Sequence, residues 1–334
     1  MNGAHAMDGH HVSVMLAETL QELVPVVKAP LMVDATLGLA GHSVAFLEHY
    51  PELRLIGVDA DSEVQAIARA RLVPYGDRVH VVNMFFDDFF KAFRAGLEGS
   101  ADGEVGFGRR RPDIILFDFG LSMFHFRESR RGFSLQSDQE LDMRLDTGTG
   151  RSASELVNEL DVRELAAVFE RYGEEPFAWR IAQAIGRERS VSSIQTTGRL
   201  ADIVKAAVPA KSRYGRIHPA TRVFQALRIA VNDELGRIER ALEDAIECLA
   251  PGGIVGAISF HSLEDRIVKN MFRERAVRAK RDKYRDIPDS PIPLIGAKRG
   301  LLVVNKKPFE ASVDEVAANP ASRSAKFRVA RVAE

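Results

Sequence analysis

"LMVDATLGLAGHSVAFLEHYPELRLIGVDAD", residues 31–61, holds two short apolar runs that each end on an acid, with a glycine-bearing loop and a helical stretch between them. Residues 31–35 read as a strand closing at Asp34, residues 44–50 as a helix, and residues 53–61 as a second strand reaching Asp59. The rhythm continues through helical spacing at 63–72, an apolar run "RVHVVN" at 78–83, helical spacing at 87–97 and the run "PDIILFDFG" at 112–120, which carries Asp118. A βαβαβ beginning of this kind predicts the α/β class, a doubly wound parallel sheet, and a ligand at the carboxyl ends of its strands.

The loop decides what sort of ligand. A phosphate-binding P-loop needs Gly-x-x-x-x-Gly-Lys-Ser/Thr, but Thr36 stands at the first glycine position and His42 replaces the lysine. A dinucleotide fingerprint needs a third glycine in register after Gly38 and Gly41, and there is none. What remains is Asp59, 21 residues beyond Gly38, where an acid that accepts ribose hydroxyls belongs. A nucleoside cofactor without phosphates points to S-adenosylmethionine, whose cationic sulfonium suits the acids Asp34 and Asp118 at the strand tips. Taken singly, Asp34 reads equally as a cap of the following helix and Asp59 as a strand-end turn. Asp118 lies in "DFGLS", an acid and turn after the fourth strand, as in methyltransferases that act on exocyclic base amines. The kinase reading of D-F-G lacks its glycine loop and its His-Arg-Asp loop.

Beyond residue 122 strand signals stop. "SASELVNELDVRELAAVFERYG" (152–173) and "EPFAWRIAQAIGRERS" (175–190) have helical periodicity, and a Thr cap opens "TTGRLADIVKAAVP" (196–209). Strands return at "GGIVGAISF" (252–260), "RGLLVVNKKP" (299–308) and "SAKFRVARV" (324–332), so residues 123–230 form a helical insertion in a domain made of 1–122 and 231–334. "HPATRVFQALRIAVNDEL" (218–235) starts at His218 and sets Thr221, Gln225 and Arg228 at three- and four-residue spacing, with Arg222 beside them. "SFHSLEDRIVK" (259–269) follows a strand; Ser262 and Asp265 read as an N-cap pair, leaving His261 to a substrate. A Ser-His-Asp hydrolase is disfavoured by the missing Gly-x-Ser-x-Gly elbow.

Charge is clustered although the formal net is −1 over 334 residues. Residues 203–232 contain six Lys or Arg and no acid; residues 269–285 contain eight against Glu274 and Asp282, a local net of +6. Two such runs favour a polyanion such as RNA. The lone Cys248 excludes an intrachain disulfide, no acid or histidine spacing suggests a metal site, and no stretch reads as a signal or membrane span. A cytoplasmic protein is expected. "GLEGSADGEVGFGRRR" (96–111) reads as a surface loop.

Together "HVSVMLAETL", "DATLGLAGHS", "GVDAD", "DFGLS", "RGFSL", "LDMRLD", "YGEEPFAWRIAQAI", "HPATRVFQALRIAVNDEL", "PGGIVGAISFHSLEDRIVK" and "NPASRSAKFRVA", in this order along nearly the whole chain, resemble the ribosomal RNA small-subunit methyltransferase H family. The resemblance implies a Rossmann-like methyltransferase sheet with a helical substrate-recognition insertion. It implies methyl transfer from S-adenosylmethionine to N4 of a cytosine in the decoding region of 16S rRNA. The expected partners are that RNA or the small ribosomal subunit, with no membrane, and a second copy of the chain in a homodimer. Cofactor contacts carried over by position fall on Ala40, Gly41, His42, Asp59, Phe86 and Asp118, with His125 where the family has another polar contact. Substrate contacts fall to His218, Thr221, Arg222, Gln225 and His261, and Asp118 is the candidate catalytic acceptor for an amine proton. Two departures stand out: Leu39-Ala40 replaces Arg-Gly, and Met-Phe-His replaces Ser-Pro-Gln at 123–125. Rival readings are a methyltransferase for another substrate, a non-enzymatic RNA-binding module and a nicotinamide oxidoreductase.

Overall fold

The computed structural model describes residues 13–99, 107–215, 218–277 and 299–333. Eight strands form one sheet: β1 (Leu31–Asp34), β2 (Arg54–Asp59), β3 (Val79–Asn83), β4 (Ile114–Asp118), β5 (Ile254–Ser259), β6 (Leu301–Val303), β7 (Phe309–Glu310) and β8 (Lys326–Val332). Their order is β3-β2-β1-β4-β5-β8-β6, with β7 also on β8. The first five are parallel, whereas β8 runs antiparallel to β5, β6 and β7.

Early helices are α1 (Leu16–Glu22), α2 (Gly41–His49), α3 (Ser62–Leu72) and α4 (Phe86–Leu97). The middle of the chain gives α5 (Met123–Arg127), α6 (Ala153–Glu159), α7 (Val162–Gly173), α8 (Ala178–Val191), α9 (Thr197–Ala207) and α10 (Thr221–Asn232). It closes with α11 (Glu234–Cys248), α12 (Ser262–Glu274) and α13 (Val313–Ala318). The apolar run 152–173 breaks in two because Asp161 caps α7, accepting from the amides of Arg163 and Glu164 while Glu164 returns to the Asp161 amide. Thr196 caps α9 through the Arg199 amide. Asp233, left-handed at φ 48°, ends α10.

Contacts divide the chain into two compact units. The sheet unit comprises residues up to Asp59, Glu63–Gly120 and Ile238 onward; the helical unit comprises Leu121–Arg237 together with Ala60–Ser62. In the sheet unit β1 and β5 are buried along their whole length, which is why they read as unbroken apolar runs rather than alternating ones. Phe46, Leu55, Leu116 and Phe327 are fully buried there, each such burial contributing about 1.5–3 kcal/mol. Cys248 is buried at the end of α11. The helical unit has its own core, centred on Leu165, Phe169, Ile181, Leu200 and Leu227. In its described part the strand-like pairing is a single bridge, Glu140 with Thr196. Of the expected loop at 96–111, residues 100–106 lie outside the described residues, and α4 continues to Leu97. Among the described residues no helix is long and apolar enough to cross a membrane.

Candidate ligand site at the carboxyl edge of the sheet

From β1 the chain proceeds to β2 and β3 on one side, and from β4 to β5 on the other, so the strand order reverses between β1 and β4. In open α/β sheets the crevice outside the carboxyl ends at such a reversal is where ligands bind. Asp34, Asp59, Asp118 and Ser259 are the last residues of β1, β2, β4 and β5.

The loop between β1 and α2 is held by its own residues. The Leu37 amide donates to the Val58 carbonyl at 2.8 Å and the Gly38 amide to Asp59 Oδ2 at 2.8 Å. Gly38 is at φ 50°, a conformation that favours a residue without Cβ. Ala40, fully buried, is also left-handed at φ 62°, and caps α2. Gly41 answers to a different demand: a Cβ there would lie 2.1 Å from Ser13 Oγ. The crowding comes from the chain before α1, a constraint the spacing of the two glycines does not reveal. The Leu39 carbonyl is held by Arg71 at 2.7 Å, so with an apolar side chain at 39 the backbone is what is anchored.

The strand-end acids divide by environment. Asp34 is buried, with Oδ2 accepting from Ser43 Oγ at 2.6 Å and Oδ1 from the Thr36 amide at 3.3 Å. Burial pushes its carboxyl up to about 6, and the Ser43 hydroxyl pulls the other way. The expectation that Asp34 faces a cationic ligand is therefore corrected: it ties the end of β1 to the first turn of α2. Asp118 differs. Its amide donates to Thr36 Oγ1 at 2.6 Å, which fixes the turn, while Oδ1 is buried without a hydrogen-bond partner. His42 Nε2 lies 3.6 Å from Asp118 Oδ2 and is likewise buried without a hydrogen-bond partner. Unmatched polar atoms of this kind are expensive unless a ligand completes them. The donors missing here are N–H or O–H groups, and the carboxylate favours positive charge.

Beside these acids stands an aromatic wall. Phe86 opens α4 and packs at 6.0 Å from Phe117 and 6.1 Å from Phe119, the two rings that flank Asp118 in sequence. Phe117 is buried, but Phe86 and Phe119 are half-buried and, tilted 55° to each other, each offer an apolar ring face. A short α4 cap was not legible in "NMFF"; Phe85 caps the helix without a side-chain bond.

After β5, the cap reading of Ser262 and Asp265 is corrected. His261 is the N-cap of α12 and forms a reciprocal box with Glu264, whose Oε2 accepts from the Phe260 amide at 2.7 Å and the His261 amide at 3.2 Å. Asp265 instead pairs with Arg328 of β8 at 2.6 Å. Histidine is a rare cap, so the Ser262 hydroxyl gave the stronger sequence signal. His261 Nε2 also sits 3.1 Å from Glu264 Oε1.

In the helical unit, His125 is buried and its Nε2 lies 2.9 Å from Asp61 Oδ2, with Arg131 bonded to the same oxygen. Burial raises the Asp61 carboxyl, but the bonds from His125 and Arg131 outweigh it and hold it down at about 2. His125 Nδ1 is buried without a hydrogen-bond partner, and the ring packs edge-on against Phe133 at 5.3 Å. Nothing in the sequence linked Asp61 to His125, 64 positions apart. His218 caps the approach to α10, its Nδ1 accepting from the Ala220 amide at 3.2 Å. Thr221 and Arg222 are exposed and Gln225 is half-buried; Arg222 donates to the Glu174 carbonyl at 3.2 Å. Arg228, grouped with them by spacing, is turned to Glu234 in a two-pronged pair at 2.8 Å. Of the second basic run, Arg275 is buried in the sheet unit and pairs with Glu243 and Glu247, so it adds nothing to an anion-binding face. Residues 278–285, with the rest of that run, and Arg216 of the first lie outside the described residues.

A sequence profile of the MraW methylase family matches residues 8–333. The ribosomal RNA small subunit methyltransferase H of Treponema denticola is 44% identical over 322 residues, covering 96% of either chain. Its counterpart from Symbiobacterium thermophilum is 45% identical over 321 residues, 96% of this chain and 95% of that one. The one from Saccharopolyspora erythraea is 43% identical over 331 residues, 98% and 95%.

Proposed function

The chain belongs to the MraW methylase family, and from that membership and the carboxyl edge of its sheet we propose that it transfers the methyl group of S-adenosylmethionine to N4 of a cytosine in the decoding region of small-subunit (16S) rRNA. The observation that carries this reading is Asp118. A buried carboxylate oxygen without a partner, at the reversal of strand order, is what a substrate amine with N–H donors requires.

The residues fit the cofactor. Asp59 closes β2 where a ribose acid belongs, Phe86 and Phe119 offer a face to a flat ring, and the Ala40–His42 backbone lies at the start of α2. Bound there, S-adenosylmethionine supplies an electrophilic methyl carbon on a cationic sulfur. The cytosine amine is a weak nucleophile because its lone pair is delocalised into the ring. Asp118 orients that amine and accepts its N–H, with Thr36 holding the Asp118 amide so the turn does not swing. The cytosine leaves its stack to reach this edge. Residues 123–230 recognise the RNA through the exposed Thr221 and Arg222, with Gln225 and His218 on the same end of α10, while His261 flanks the sheet edge.

The test is mass spectrometry of 16S rRNA from cells with and without the protein, together with labelled methyl transfer in vitro. Loss of N4-methylcytidine at one decoding-region position is expected, with restoration by the wild-type chain and not by Asp118→Asn. Unchanged N4-methylcytidine, or labelling of another base or polymer, overturns the proposal.

A further inference from the structure

His42 and Asp118 are mismatched in a way the methyl-transfer reading does not by itself explain. Thr19 Oγ1 donates its only proton to the Leu16 carbonyl at 2.8 Å, so towards His42 Nδ1, 3.4 Å away, it accepts. An acceptor facing Nδ1 favours a ring proton on that nitrogen, and whenever the ring carries a single proton Nε2 then presents a lone pair. That lone pair faces Asp118 Oδ2 across 3.6 Å, too far for a hydrogen bond and with no hydrogen between two acceptors. The pair is one proton short, and methylation of an amine releases one proton. Asp118 is 24% exposed and His42 only 6%, which sets the order: Asp118 meets the substrate and His42 stands behind it. Asp34 also faces the ring, with its two oxygens taken up by Ser43 and Thr36, and α1 contributes Thr19.

We propose that His42 is the proton-holding partner of Asp118, a positioning residue whose tautomer is fixed by Thr19. The inference rests on the methyl-transfer reading. The amine lone pair forms the new N–C bond; the C–S bond breaks and its electron pair stays on sulfur, turning sulfonium into thioether. The methylated nitrogen then gives up a proton, keeping the N–H electron pair. That proton bonds first to the Asp118 carboxylate and then to the Nε2 lone pair, so that an imidazolium beside a carboxylate replaces two facing acceptors. It returns to solvent past the exposed edge of Asp118.

The experiment compares wild type, His42→Gln and Thr19→Val as full chains. Calorimetry with S-adenosylmethionine reads cofactor affinity, single-turnover transfer to small-subunit rRNA reads the chemical step, and nitrogen-15 NMR reads the His42 ring. The wild-type ring is expected as the Nδ1–H tautomer, and Thr19→Val shifts it towards Nε2–H. At saturating S-adenosylmethionine, His42→Gln slows single-turnover transfer about 100-fold, in the range of lost proton-transfer assistance. Thr19→Val falls between them. A wild-type rate in His42→Gln, a loss confined to cofactor affinity, or an Nε2–H ring in the wild type each overturns the relay. Should His42→Gln fail to fold, Thr19→Val decides: an unchanged ring tautomer and an unchanged rate overturn it. Absence of any transfer by the wild type refutes the function itself, a distinct outcome from a wild type that transfers with an indifferent His42.

Discussion

Gly41→Ala tests whether this glycine exists for the protein or for its ligand. The added Cβ meets Ser13 Oγ at 2.1 Å, well inside the roughly 3.5 Å of an unstrained contact, and Ser13 is buried. Overpacking of this size costs about 1–3 kcal/mol. The next nearest atom is Ser13 Cβ at 3.5 Å, an ordinary contact, so Ser13→Ala removes the clash. In that background Gly41→Ala is expected to be neutral or stabilising by some tenths of a kcal/mol, because alanine loses less backbone entropy at the start of a helix. The coupling between the two sites is then about 1–3 kcal/mol, read from urea midpoints of the wild type, both single variants and the double variant. Calorimetry with S-adenosylmethionine on the same four proteins completes the assay. Equal destabilisation by Gly41→Ala in both backgrounds refutes the steric account. A double variant that regains stability but loses cofactor affinity more than about tenfold shows instead that the ligand needs this glycine.

Other outcomes follow from the same geometry. Asp61, held at about 2 against an ordinary 3.8, contributes stability present above pH about 4 and lost as pH falls through about 2; this is worth about 2 kcal/mol, and Asp61→Asn should erase that component of the acid transition. Asp34 has the opposite sign: raised to about 6, it favours the fold below pH about 4 and that contribution, about 3 kcal/mol, disappears as pH rises to about 6. Asp34→Asn should flatten the stability profile across that window, and an unchanged slope in denaturation series from pH 4 to 7 would count against the buried, Ser43-bonded geometry. Arg222→Ala should weaken RNA binding across sequences and lower the salt dependence by about one phosphate contact in titrations at varied ionic strength, while leaving cofactor affinity unaltered.

The architecture was legible because its signals are local. Unbroken apolar runs such as residues 31–34 and 254–259 are what strands covered on both faces look like, and helical spacing with caps such as Asp161 and Thr196 survives in one dimension. The same locality placed an acid at the ends of β1, β2 and β4. Distant partners were not legible. Thr36 reaches the Asp118 amide across 82 positions, and Asp265 finds Arg328 across 63, so the cap assigned to Ser262 went to His261 instead.

Sequence alone thus determined the parallel strands β1 to β5, acids at the carboxyl ends of three of them, and a helical stretch set into the middle of the chain. Only the tertiary structure decided what each acid does. Asp34 is buried against Ser43, Asp59 receives the Gly38 amide, Asp61 is claimed by His125 and Arg131, and Asp118 keeps an unmatched oxygen near a His42 nitrogen that also lacks a hydrogen-bond partner. The physical reason is that a carboxylate's role is set by burial and by the donors that reach it, and those donors come from parts of the chain that only folding brings together.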